Sequence, residues 1–148
     1  MKMKKKLIAG LAVALVVVAA PIANAKATVT ASPLKNISQK NATVTFKFAK
    51  MPTMNGLYIQ ECMAPATKGA MPTVCDSDQA AQAWVSANKA DIAQGASSAA
   101  KPVVEHPVPY WAKDDCVHAA CVFYITNDHN ASADRSQDQV IPFTFAAK

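Results

Sequence analysis

The chain is poor in glycine, poor in charge and nearly free of long apolar runs. Four glycines in 148 residues, without any period, exclude a collagen-like or low-complexity chain. Charged residues make up 17% and apolar residues 51%, too little charge and too much apolar surface for a disordered tail. No second long apolar run follows residues 7–20, so no membrane span is expected beyond that point. No C-x2-C pair is present, which removes the usual signature of a structural zinc site. What is left is one domain's worth of chain.

The first 25 residues read as a secretory leader. Four lysines lie within residues 1–6, an apolar run fills residues 7–20, and Ala23-Asn24-Ala25 follows Pro21. A basic region, an apolar region and an A-x-A site are the parts of a signal peptide. Fourteen residues rise about 21 Å as a helix, short of a hydrocarbon core of ~30 Å. Cleavage after Ala25 is therefore expected, leaving a domain over residues 26–148 and a secreted product with no membrane attachment. No cysteine lies near the cut, so a lipid anchor is not expected.

The basic balance belongs mostly to that leader. Its removal takes four of the fifteen cations and leaves eleven against ten acids, a net charge of +1. Without a basic stripe, direct nucleic-acid binding is not expected.

The four cysteines stand at 62, 75, 116 and 121. An even count in an exported chain reads as two disulfides. Of three pairings, Cys62–Cys75 with Cys116–Cys121 is favoured, because short loops close at low entropic cost.

Alternation supplies the strands. Residues 27–31 and 43–48 alternate, the second with Val44, Phe46 and Phe48 on one face. Asn55-Gly56 turns the chain into residues 57–62, with Leu57 and Ile59 inward. Residues 63–74 hold Pro65, Gly69 and Pro72 and read as a loop stapled by the first bridge. Residues 76–100 are rich in Ala, Gln and Ser, and a short helix or irregular segment is expected after Ser77-Asp78. Residues 102–110 carry three prolines and suit an edge strand. Residues 120–126 and 140–145 alternate again, so Phe46, Phe123, Ile125 and Phe143 are expected in the core. Trp84, Tyr110 and Trp111 read as core plugs or cleft walls, with core the default, and Tyr110-Trp111 stands just before the second bridge, where it would border a cleft. Six or seven short strands at this spacing argue for an all-β immunoglobulin-like antiparallel β-sandwich.

That pattern resembles the neocarzinostatin family of antibiotic chromoprotein apoproteins from actinobacteria, the macromomycin- and actinoxanthin-like proteins. The matching residues are Ala27-Thr28-Val29-Thr30, Tyr58-Ile59-Gln60-Glu61-Cys62, Asp115-Cys116-Val117-His118-Ala119-Ala120-Cys121 and the strand from Pro142 to Phe145. The resemblance implies a seven-stranded immunoglobulin-like antiparallel β-sandwich with two local disulfides, and a cleft beside the stapled hairpin. It implies a cleft floor of Tyr58, Gln60 and Cys62 on one strand and Val122, Tyr124 and Thr126 on the other. In the family that cleft carries a non-covalent enediyne chromophore, and DNA damage comes from the chromophore. The family has glycine where this chain has Gln60 and Tyr124, so a narrower floor is expected. Ala64 replaces the family's aromatic, and the stapled loop is three residues longer.

Other constellations read as turns. His106, His118 and His129 have no free thiol to activate. Ser136, Asp134 and Asp138 share one polar turn with His129, and a triad needs rigid, mutually aimed groups, so no enzyme is expected. Asp128, Asn130, Ser132 and Asp134 alternate like the start of a calcium loop. Ala133 occupies the glycine position and Gln139 the bidentate Glu position, so no metal is expected. The sequons at Asn36, Asn41 and Asn130 read as polar turns. Two function classes follow: a secreted, monomeric, non-catalytic module for a small apolar or aromatic ligand, or a structural or cell-surface interaction domain with a filled cleft.

Overall fold

The computed structural model describes residues 25–111 and 114–147, with the side chains of Ala80, Tyr110, Trp111 and Asp114 left out. The expected leader, apart from Ala25, lies outside the described residues. So do the side chains of Tyr110 and Trp111, on which a core or cleft position was expected.

Period-two segments become strands where one set of side chains can reach a common core. The strands are β1 (Thr28–Ser32), β2 (Val44–Ala49), β3 (Leu57–Met63), β4 (Gln82–Ser86), β5 (Ser97–Ser98), β6 (Val103–Glu105), β7 (Tyr110–Trp111), β8 (Asp114–Asp115), β9 (Cys121–Asn127) and β10 (Gln139–Phe143). Seven of them have three residues or more. One short helix, α1 (Lys89–Ala93), is capped by the Asn88 side chain, which accepts from Ala90 N at 2.9 Å.

The strands form a three-stranded sheet, β1-β2-β6, and a five-stranded sheet, β10-β9-β3-β4-β5, with β7 and β8 paired separately. Pairing is antiparallel throughout except for β4 with β5, which is parallel. The sheets meet through Val44 and Phe46 from one side and Leu57, Ile59, Val85, Phe123, Ile125 and Phe143 from the other, all buried. The Phe46 and Phe123 rings meet edge to face at 5.0 Å, and Phe123 stacks on Phe143 at 4.2 Å. Phe46, Phe123, Ile125 and Phe143 are thus in the core, as the alternation predicts. β6 is an edge strand, as expected from the prolines that flank it at 102, 107 and 109. Cys62 is bonded to Cys75 and Cys116 to Cys121, and none of the four is free.

Three expectations need correction. Residues 76–100 hold a strand, β4, not only a helix. Its five residues place Ala83 and Val85 in the core and pair with β3 from Gln60 to Leu57. Trp84 consequently points away from the core, because neighbouring side chains on a strand alternate. The last strand ends at Phe143. Phe145 reaches the core beyond it, through a parallel bridge to Ile37.

Candidate functional site

The outer face of the five-stranded sheet gathers the six residues expected on a cleft floor. The register of β3 on β9 makes them three cross-strand pairs: Tyr58 with Thr126, Gln60 with Tyr124, and Cys62 with Val122. Directly opposed side chains on one face lie close enough to act as a unit.

The three pairs have different surroundings. Cys62 and Val122 are buried with Tyr124 in a second apolar cluster, roofed by Ala64, Met71, Cys75 and Val140. The loop between the bonded cysteines provides most of this roof. Met63 N donates to Val74 O at 2.9 Å and Ala64 N to Ala120 O at 2.9 Å, which hold its two ends. Cys62 and Val122 therefore lie beneath the loop and do not line an open cleft. The other two pairs line a depression of about 440 Å³. Pro72 stands on its loop side, and Asn127, His129 and Arg135 stand opposite.

An aromatic wall rises at one end. The Tyr58 hydroxyl is hydrogen-bonded to His129 Nδ1 at 2.7 Å. The Trp84 ring lies 5.1 Å from His129 and 6.4 Å from Tyr58, between centroids. Burial raises the Tyr58 phenol above its ordinary value, and the nearby Asp128 carboxylate adds to that rise.

Asp128 underpins the wall. It is fully buried, and its carboxylate accepts from Gly56 N at 2.8 Å, Trp84 Nε1 at 2.9 Å and Asn130 N at 3.0 Å. Both carboxylates of the 128–134 segment are thus used inside the protein. Asp128 caps the 3-10 turn His129–Ala131, and Asp134 accepts from Ser136 N at 2.8 Å and Ser136 Oγ at 3.0 Å. Those two bonds hold the Asp134 carboxyl below its ordinary value. Ser136 is turned to Asp134 and His129 to Tyr58.

The floor at Tyr124 is pinned from behind. Its hydroxyl donates to Asp138 Oδ2 at 3.1 Å. Arg135 Nη2 donates to the same oxygen at 2.6 Å and to the Tyr124 hydroxyl. The guanidinium also lies 5.9 Å from the Tyr124 ring centroid. Burial, then the Asp138 charge, raise the Tyr124 phenol. Tyr124 is left 6% exposed, so it shapes the floor but offers little surface.

Comparison with known proteins gives one named likeness. Among solved structures, macromomycin is similar to this chain at 15% identity, over 81% of this chain and 99% of its own, with a TM-score of 0.42. No family model matches the chain, and no curated protein matches it.

Sequence reasoning missed three residues at this site. Trp84 was read as core by default because β4 was not recognised, and Ala83, Trp84 and Val85, all apolar, carry no period-two signal. His129 was read only as part of a polar turn. Arg135 carried no signal, since an i,i+3 partner at Asp138 is common on any turn.

Proposed function

We infer that the protein is an exported, non-catalytic binding module that takes a small apolar or aromatic ligand in the depression over β3 and β9. One observation carries this reading. Two cross-strand pairs stay open beneath an aromatic wall, in a space of about 440 Å³, within the usual range for small-ligand sites. Tyr58 and His129 supply ring faces, with Trp84 packed against both rings, and Gln60 and Thr126 supply hydrogen-bonding groups. Two closed disulfides fit an oxidising compartment. The family resemblance points to a carrier of a non-covalent chromophore. Tyr124 and Gln60, standing where the family has glycine, narrow the floor and favour a ligand smaller than an enediyne chromophore.

A second reading has its own support. Cys62 and Val122 lie beneath the stapled loop and Tyr124 is only 6% exposed, so half of the family-type floor offers little open surface. On that reading the domain serves structure or surface interaction.

Tryptophan fluorescence separates the two. A naphthalene-sized aromatic probe is titrated into wild type, Tyr124→Gly and Thr126→Trp. The binding reading expects saturable quenching in wild type and its loss in Thr126→Trp, where an indole occupies the depression. Saturable quenching only in Tyr124→Gly supports the filled cleft. Tight binding to wild type that Tyr124→Gly abolishes makes Tyr124 a ligand contact.

A further inference from the structure

The segment that leads into β1 is held by side chains rather than by a strand ladder. Ala27 N donates to Gln137 Oε1 at 2.7 Å, and Gln137 Nε2 donates to Ala25 O at 3.3 Å. Gln139 Nε2 donates to Ala27 O at 3.3 Å. Lys26 Nζ donates to the backbone oxygen of Asp138 at 2.5 Å. Gln137 is 1% exposed and Ala27 3%. Residues 137–139 thus grip residues 25–27 from one side, with a buried amide pairing one carbonyl and one N–H of the chain. A buried amide left without partners is costly, so this grip forms with the fold and opens only at the expense of it.

The same three residues span the bond that the leader anatomy marks for cleavage. An endopeptidase takes its substrate as an extended strand, with main-chain groups on both sides of the scissile bond free to pair with the enzyme. Here the carbonyl of that bond, on Ala25, accepts from Gln137. Both main-chain groups of Ala27, one residue beyond the bond, are taken by Gln137 and Gln139. A docked segment and a protease-bound segment need the same atoms.

We propose that docking of residues 25–27 in the Gln137–Gln139 clamp and hydrolysis of the bond between Ala25 and Lys26 exclude each other, so that the leader is removed before the clamp closes. In the cut, water adds its hydroxyl to the Ala25 carbonyl carbon and its proton to Lys26 N. Ala25 leaves with the leader as a carboxylate, and Lys26 keeps an ammonium. Gln137 Nε2 then loses its acceptor on Ala25. The bonds of Gln137 Oε1 and Gln139 Nε2 to Ala27 remain, so the mature start still docks. This inference does not depend on the ligand reading above.

The test uses the full-length chain in mild detergent and a bacterial-type leader peptidase. One sample is oxidised and folded; the other is reduced and carboxamidomethylated, so neither bridge can close. Mass spectrometry locates the cut. The folded chain is expected to be cut at least about tenfold more slowly, since cutting must await local opening. Gln137→Ala combined with Gln139→Ala should bring the folded chain close to the rate of the reduced one. Where that double variant fails to fold, by circular dichroism and thiol count, Gln137→Ala alone, which removes the acceptor of the Ala27 amide, is compared by hydrogen exchange at that amide. Protection in wild type with faster exchange in the variant supports the clamp. Equal cutting of folded and reduced chains overturns the proposal. So does an unprotected Ala27 amide in wild type, or a reduced chain not cut between Ala25 and Lys26.

Discussion

Trp84 Nε1 donates to Asp128 Oδ2 at 2.9 Å, and this bond ties β4 to the turn that follows β9. The same oxygen accepts from Gly56 N at 2.8 Å, while Asp128 N donates to Gly56 O at 3.0 Å. One buried carboxylate therefore joins three places far apart in sequence: the entry to β3, the middle of β4 and the exit of β9. Asp128→Ala leaves four donors, Gly56 N, Trp84 Nε1 and the backbone and side-chain nitrogens of Asn130, without this acceptor. It should cost about 3 kcal/mol or more, since bonds to a charged acceptor contribute ~1.5–3 kcal/mol each. Trp84→Phe removes one bond and should cost less. Denaturant unfolding of the two single variants and the double measures the coupling. Additive losses would show that the two side chains act independently.

Gly56 has no room for a side chain. A Cβ there would stand 2.7 Å from Val85 O, 2.8 Å from Trp84 Nε1 and 2.9 Å from Asp128 Oδ2. The first of these is backbone of a paired strand and cannot swing aside. Gly56→Ala should therefore destabilise by about 1–3 kcal/mol, the usual range for an overpacked site. Thermal unfolding checks it, and an unchanged midpoint would mean that the Asn55-Gly56 turn can shift at no cost.

Phe123 sits between Phe46 and Phe143. Truncation to alanine removes both ring contacts and leaves a cavity between the sheets. A loss of roughly 3–5 kcal/mol is expected. A loss under about 1 kcal/mol would contradict the inward register of β9.

Glu61 predicts a pH dependence. It faces the core side of β3 at 2% exposure. Burial raises its carboxyl from 4.5 to about 7, against a donor from Val108 N at 3.0 Å and helped by the charges of Asp76 and Glu105. Cys116 Sγ of the second bridge lies 3.3 Å from Oε1. The folded state holds this proton where the unfolded state has released it. Stability is then full below pH ~4.5 and is lost as pH rises through the folded value, by about 3 kcal/mol in all. Glu105, also raised by burial to about 7, acts in the same direction. Urea titrations between pH 4 and 8 should show the decline, and Glu61→Gln should flatten much of it. A wild type equally stable at pH 5 and 8 would show that the carboxyl is solvated in solution.

Oxidation state gives a simple check on the framework. Denatured protein should titrate no thiol before reduction and four after it. Each bridge closes a short loop, worth about 2–3 kcal/mol by chain entropy. Free thiol in freshly prepared, unreduced protein would contradict two closed bridges.

The sequence by itself carried the face of each strand whose alternation is strong. Val44 and Phe46, Leu57 and Ile59, and Phe123 and Ile125 are core because a period of two leaves them no other face to share. Cysteine spacing carried the bridges, because short loops close most readily. What the sequence left open had to be decided by contacts between distant residues. β4 is an Ala- and Gln-rich segment of weak intrinsic preference, and it is a strand because the free edge of β3 supplies its hydrogen bonds. Once β4 is placed, Trp84 must face outward, toward His129 and Asp128. Asp128 reads locally as a turn residue or a calcium-loop oxygen. Only the meeting of Gly56, Trp84 and Asn130 around it makes it a buried acceptor. The floor divided in the same way. Alternation put Cys62, Tyr124 and their partners on one face, but the fold of the stapled loop decided which pair is roofed and which two stay open, since burial depends on what packs above a strand and not on the strand's own period.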